Sequence, residues 1–247
     1  MGKISRIRKF NTENECPQVQ ADLGNRKRFT EKDLLSVVAK TDNQQLALDS
    51  CFSSALAVGL GGSSGSGKTF IALYSALKQV FDPSTPYEKV IIARSAVATR
   101  EQGFLKGSLE EKEEIFQLPY QALCKELLPR FNNGYEHLKS LGYVEFTSTS
   151  YLRGLTFHDT IVIVDEYQSL TRHEIYTILT RIGENSKIFL CGDHKQSDLK
   201  KEQSCFNYIE ELSSKLPEGM CRNIRFTADD IVRSEFVKAI IMIDEAM

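Results

Sequence analysis

An α/β fold, with a mainly parallel sheet sandwiched by helices, is predicted by three stretches of the 247-residue chain. Each is a short apolar run that ends in polar or glycine-rich sequence: AVGLGGSSGSGKT (57–69), TIVIVDE (160–166) and KIFLCGD (187–193). Continuous apolar runs of this length mark strands buried on both faces, the situation of parallel strands covered by helices. Polar groups at the carboxyl ends of such strands face the ligand crevice of an open α/β sheet.

The first stretch predicts a nucleotide-phosphate site. Gly62, Gly67, Lys68 and Thr69 satisfy G-x-x-x-x-G-K-[ST], with a strand feeding in and a helix leading out, which is the context the mechanism needs. Gly62, Gly65 and Gly67 let the backbone curl so that successive N–H groups point at an anion. Ser63, Ser64, Ser66 and Phe70 complete the candidate nucleotide-binding set. Lys68 adds a cation at the terminal phosphates, the helix adds its positive amino end, and the Thr69 hydroxyl is placed to ligate Mg²⁺. Phe70, Leu73, Leu77 and Phe81 recur at helical spacing, and Asp82-Pro83 ends the helix.

The formal charge of −2 excludes a uniformly basic nucleic-acid coat and leaves room for a local basic patch. Six cysteines (Cys16, Cys51, Cys124, Cys191, Cys205, Cys221) form no C-x-x-C pair, so neither a zinc ribbon nor a disulfide framework is indicated. No apolar run reaches bilayer length, and the first thirty residues are polar where a signal peptide would be apolar. The expectation is a soluble, cytoplasmic protein without a membrane partner.

In chain order, residues 1–40 read as an arm. Lys3, Arg6, Arg8, Lys9, Arg26, Lys27 and Arg28 are interleaved with Phe10 and Phe29, a composition that suits a nucleic-acid contact, a solvated terminus or an edge packed on the domain. The domain, 41–247, opens at Thr41-Asp42-Asn43-Gln44, which has the form of a capping box; Gln44 either caps the helix or reaches a nucleotide base with its amide. Residues 89–93 are a buried-type strand ending at Arg94-Ser95. Residues 103–130 read as a turn and two helical segments divided at Pro119, with Glu110, Glu111, Glu113 and Glu114 on the wet face. A strand over 143–147 and a polar loop holding Arg153 follow.

The strand at 160–166 ends in adjacent carboxylates that alternation points in different directions, so Asp165 can hold Mg²⁺ while Glu166 orients or deprotonates a water. Thr171–Glu174 is a second capping-box form, before a helix with Ile175, Ile178, Leu179 and Ile182 inward. The strand at 187–193 delivers Gly192-Asp193-His194-Lys195-Gln196, in which the Gln196 amide is suited to sense a γ-phosphate. A last strand, Arg222–Phe226, and a last helix, Ala228–Met242 with Ile231, Ile240 and Ile241 inward, end the pattern.

Taken together, TDNQ (41–44), GSSGSGKT (62–69), GFLKGSLEEK (103–112), YLRGLTFHDTIVIVDEYQSL (151–170), LTRIG (179–183), GDHKQSDL (192–199) and DIVRSEFV (230–237) resemble the PhoH family. These are P-loop ATPases akin to the first motor core of superfamily 1 helicases, and the shorter phage-type members are the most similar. The resemblance implies a RecA-like core, ATP and Mg²⁺ as cofactors, and a link to RNA or single-stranded DNA. It places the adenine contact on Gln44, Mg²⁺ on Thr69 and Asp165, water activation on Glu166 and γ-phosphate sensing on Gln196. Tyr167 and Ser169 stand where the family usually has Ala and Asn. The stretch after Gln196 is too short for a second motor core, so the expectation is a homo-oligomeric ring, of six by resemblance, in which a neighbour supplies an arginine. Arg233 is the first candidate and Arg181 the second. The competing readings are an ATP-gated assembly module with negligible turnover and a P-loop kinase.

Overall fold

Strands β1 (Ala57–Gly62), β2 (Lys89–Arg94), β3 (Val144–Ser148), β4 (Thr160–Asp165), β5 (Lys187–Gly192) and β6 (Cys221–Phe226) pair in the order β3-β2-β4-β5-β1-β6. Every pairing is parallel, as the apolar runs predict. The computed structural model describes residues 28–95, 109–152, 154–193 and 205–246. Because β4 and β5 lie between β1 and β2, the carboxyl ends of β1, β5, β4 and β2 stand side by side, with Arg94 paired to Asp165, Asp165 to Cys191 and Gly61 to Gly192.

Helices α1 (Asp42–Phe52), α2 (Lys68–Phe81), α3 (Leu109–Leu127) and α4 (Gly134–Ser140) cover one face. There Leu48, Leu73, Leu77, Tyr120 and Leu138 pack with Val58, Leu60, Ile92, Ile161, Ile163 and Phe189. Helices α5 (Arg172–Leu179) and α6 (Phe206–Lys215) cover the other, where Ile175, Ile178 and Ile209 meet Val162, Val164, Ile188 and Leu190. Each fully buried aliphatic side chain contributes roughly 1.5–3 kcal/mol. Strand alternation therefore sorts β4: odd-numbered side chains face α2 and α3, and Asp165 continues that row.

Of the alternatives for the arm, Phe29 takes the packed one: it is buried and stacks on Phe81 at 5.3 Å, in reach of Phe131 and Tyr143. The rest of the basic arm, and Arg153, lie outside the described residues. Pro119 does not divide α3. The ring and the half-exposed Ile115 one turn back both lie on the open side, where a freed carbonyl meets water, and Tyr120, Cys124 and Leu127 pin the buried side. Of the four glutamates read as a wet face, Glu114 is exposed and the other three side chains lie outside the described residues. Helix α4 has no counterpart in the sequence reading.

The last helix begins later than expected. Ala228–Asp230 is a 3₁₀ turn and α7 spans Glu235–Ala246. Asp230 closes a capping box on that short turn by accepting from the Thr227 N–H (2.8 Å), and it also accepts from the Thr41 hydroxyl (2.6 Å) and the Asn43 amide (2.8 Å). Ile231 is buried as expected, whereas the later start turns Ile240 outward. No helix among the described residues is long and apolar enough to cross a membrane.

Candidate nucleotide site

The loop between β1 and α2 takes the shape its glycines permit. Gly62, Gly65 and Gly67 have φ of 126°, 75° and 87°, and a Cβ on Gly62 would collide with the Phe226 carbonyl. Gly67 is the N-cap of α2, so the first N–H groups of that helix open onto the site. Ser66, fully buried, braces the turn by donating to the Ser63 carbonyl at 2.8 Å. The Lys68 ammonium donates to the carbonyls of Gly62 (2.8 Å) and Ser63 (2.7 Å). Burial lowers its pKa, and Asp193, Glu166 and Asp165 are among the groups opposing that shift.

A cavity of about 540 Å³ opens above the strand ends. Its walls hold Gly65, Gly67, Lys68, Thr69, Arg94, Asp165, Glu166, Asp193 and, from α3, Pro119, Leu123 and Glu126. The Thr69 hydroxyl donates to Asp165 Oδ1 at 3.0 Å, so the two residues predicted to hold Mg²⁺ meet although 96 positions separate them. Their donors are oxygens only, which suits a hard cation that takes few protein ligands and completes its shell with phosphates and water. Among the described residues no group of three or more His, Cys, Asp or Glu is arranged for a metal, so any metal here has that sparse protein set. Asp165 is 7% exposed; burial and then the Glu166 charge push its pKa up, against the hydrogen bonds from Tyr120 and Thr69 and the Arg94 charge.

Glu166 leaves the strand with φ of 54°, a left-handed conformation that costs a non-glycine residue about 1 kcal/mol or more. The kink carries its carboxylate into the cavity instead of across the sheet. Gln168, 2% exposed, holds it there: Nε2 donates to Glu166 Oε2 at 2.6 Å while Oε1 accepts from the Asp193 N–H at 3.0 Å. Arg94 approaches the other oxygen at 3.9 Å and lies over the Phe116 ring at 5.8 Å.

The remaining predicted residues divide. Gln44 is buried beside the loop, but both ends of its amide are engaged by the chain itself: Oε1 accepts from the Lys40 N–H and Nε2 donates to the Ser66 carbonyl, each at 2.9 Å. The capping box at Thr41 is thus half formed, with the Thr41 hydroxyl accepting from the Gln44 N–H, whereas the box at Thr171 and Glu174 is complete. A neighbouring cavity of about 460 Å³ runs from Phe70 and Gly67 to the 35–40 segment. Arg233 lines both cavities of its own chain, because Val232 N–H bonds to the Gly65 carbonyl at 3.1 Å and Ile231 is buried. Ser63 and Ser64 lie in the loop, and Gln196 lies outside the described residues. Arg181 is not brought to the site: its carbonyl bonds to Phe157, ahead of β4, at the opposite edge of the sheet.

Tyr120 and Glu126 had no motif to announce them. Arg94 was legible only as a polar residue at a strand end, whereas Gln168 and Asp193 fall within DE-x-Q and GD-x-x-Q but carried no assigned role.

The PhoH-like protein family model matches residues 36–245. Protein PhoH2 of Bacillus subtilis is 34% identical over 174 residues, 69% of this chain and 39% of that protein. Protein PhoH of Escherichia coli is 32% identical over 175 residues, 70% of this chain and 48% of that one. The chain therefore spans less than half the length of these two relatives. Among solved structures, the large terminase of a thermophilic bacteriophage aligns with TM-score 0.46 and 14% identity, over 81% of this chain and 48% of that one. With the family model running through the P-loop, both carboxylates and the Arg233 segment, the chain belongs to the PhoH-like protein family.

Proposed function

We propose that this chain binds ATP with Mg²⁺ and hydrolyses it in the cytoplasm, as a ring of copies coupled to RNA or single-stranded DNA. One observation carries the hydrolytic part: Lys68, Thr69, Asp165 and Glu166 line a single cavity, with Glu166 turned into it by a left-handed kink. The loop N–H groups and Lys68 bind and neutralise the phosphates. Thr69 and Asp165 are the residues that would hold Mg²⁺, which would supply charge neutralisation to the bound phosphates. Glu166 accepts a proton from the attacking water, and Gln168 and Arg94 fix the direction of its carboxylate. Gln196 as γ-phosphate sensor, the ring and the polymer partner are supported by the resemblance of LTRIG, DE-x-Q and GD-x-x-Q.

ATP turnover measured with and without RNA and single-stranded DNA tests the proposal. Glu166→Gln keeps size and hydrogen bonding and loses basicity, so nucleotide binding is expected to survive and turnover to fall about 10²–10⁴-fold. Parental turnover in that variant would remove Glu166 from the chemistry. Negligible turnover in the parent under every condition would favour an ATP-gated binding module. Lys68→Ala is expected to weaken binding and turnover together.

A further inference from the structure

Helix α3 has two faces with different tasks. Pro119, Leu123 and Glu126 face the cavity, whereas Tyr120, Cys124 and Leu127 are buried against the sheet. Tyr120 is 1% exposed, and its hydroxyl reaches through the core to the end of β4, donating to Asp165 Oδ2 at 2.7 Å. The other carboxylate oxygen is taken by Thr69 of α2 at 3.0 Å. Both oxygens of one buried carboxylate are thus held by donors from two different helices, and residues of both helices line the cleft.

The bond has direction: an ionised carboxylate only accepts, so the phenol hydroxyl is the donor. A carboxylate with both oxygens accepting hydrogen bonds has little freedom to rotate, and its remaining lone pairs are aimed by its partners. Hydrogen-bonded groups behind a metal-ligating carboxylate set its orientation, and losing one costs typically 10–100-fold in metal affinity.

We infer that Tyr120 is a positioning residue for the cation: it orients Asp165 toward the Mg²⁺ of the bound nucleotide and ties the placement of α3 to occupancy of that position. The inference rests on the Mg²⁺-nucleotide reading of the site and adds a residue to it. Tyr120 touches neither nucleotide nor water, and acts through Asp165. Binding of Mg²⁺-nucleotide on the P-loop side accordingly tightens the wall on the α3 side, from which Leu123 and Glu126 face the cleft.

The experiment uses the full chain and a fluorescent ADP whose binding is titrated against Mg²⁺, with a parallel titration in EDTA. In Tyr120→Phe the Mg²⁺ concentration for half-maximal tightening is expected to rise about 10–100-fold, while metal-free ADP affinity stays at the parental value. A purely structural role would lower both affinities by one factor and leave the Mg²⁺ midpoint in place, and that result overturns the inference. A second measurement needs no variant. In the parent chain bound to ADP, added Mg²⁺ is expected to slow amide hydrogen exchange across 119–127, and unchanged exchange there would also overturn it. A parent that binds ADP without any response to Mg²⁺, or binds no ADP, would remove the Mg²⁺-nucleotide reading itself. A responsive parent with an unmoved midpoint in Tyr120→Phe removes Tyr120 alone.

Discussion

The Gln44 side chain joins the first turn of α1 to the P-loop: its Nε2 donates to the Ser66 carbonyl at 2.9 Å while its Oε1 accepts from the Lys40 N–H at the same distance. A glutamine whose paired donor and acceptor are both spent on backbone groups acts as a strut between the 35–40 segment and the phosphate loop. The same residue type at the same place also fits a base reader, and the two roles differ in what a substitution does to nucleotide preference.

As a strut, Gln44→Ala leaves the buried Ser66 carbonyl without this partner, at a cost of about 1–3 kcal/mol, and loosens the loop for every nucleotide alike. ATP and GTP affinities are expected to fall by the same factor. Competitive binding of the two nucleotides to parent and variant checks this. A selective loss of ATP binding would make Gln44 the adenine contact.

Gln168 fixes Glu166 Oε2 and the Asp193 N–H with one amide, at 2.6 Å and 3.0 Å. Gln168→Ala frees the Glu166 carboxylate to leave its aligned position, and a misplacement of the order of 1 Å costs about 10² in rate. The expected signature is a kcat reduced by about that factor with ATP affinity nearly unchanged. Steady-state kinetics alongside equilibrium nucleotide binding decides it, and parental kcat would show that Glu166 is held by other means.

Arg233 lies over its own phosphate loop, its Cγ 2.9 Å from where a Cβ on Gly65 would stand. This placement supports a role toward the nucleotide of the same chain, and Arg233→Ala is expected to lower turnover toward the 10³-fold that a phosphate-directed arginine is worth. Mixing Arg233→Ala with Glu166→Gln subunits is then expected to recover nothing, since no chain in the mixture has both residues. Partial recovery on mixing would instead show the arginine acting across an interface between copies.

Burial pushes the thiols of Cys51, Cys124 and Cys205 up to about 12, and Cys191 is also raised, by burial first. Because the folded chain holds these groups neutral, the stability they contribute is complete below pH 9. It is lost as the pH climbs from 9 toward 12, where the unfolded chain ionises first. The melting temperature is expected to fall over that interval. At pH 8 an alkylating reagent followed by mass spectrometry is expected to leave these four cysteines unmodified in the folded protein, with labelling of Cys51 or Cys191 refuting their burial.

The sequence by itself determined which groups stand at each strand end, because that information is local. A buried parallel strand announces itself by an unbroken apolar run, and the G-x-x-x-x-G-K-T spacing and the Asp165-Glu166 pair sit directly at the ends of such runs. What surrounds those groups was decided only in three dimensions. Tyr120 and Asp165 are 45 residues apart and Thr69 and Asp165 are 96 apart, so no period or spacing links them. Helix α3 passes through Pro119 because the contacts of Tyr120, Cys124 and Leu127 outweigh a local breaker, and the amide of Gln44 is claimed by a carbonyl 22 positions away. Arg233 follows the same rule: its motif marked it for a phosphate, but one backbone bond from Val232 to Gly65 placed it over the loop of its own chain.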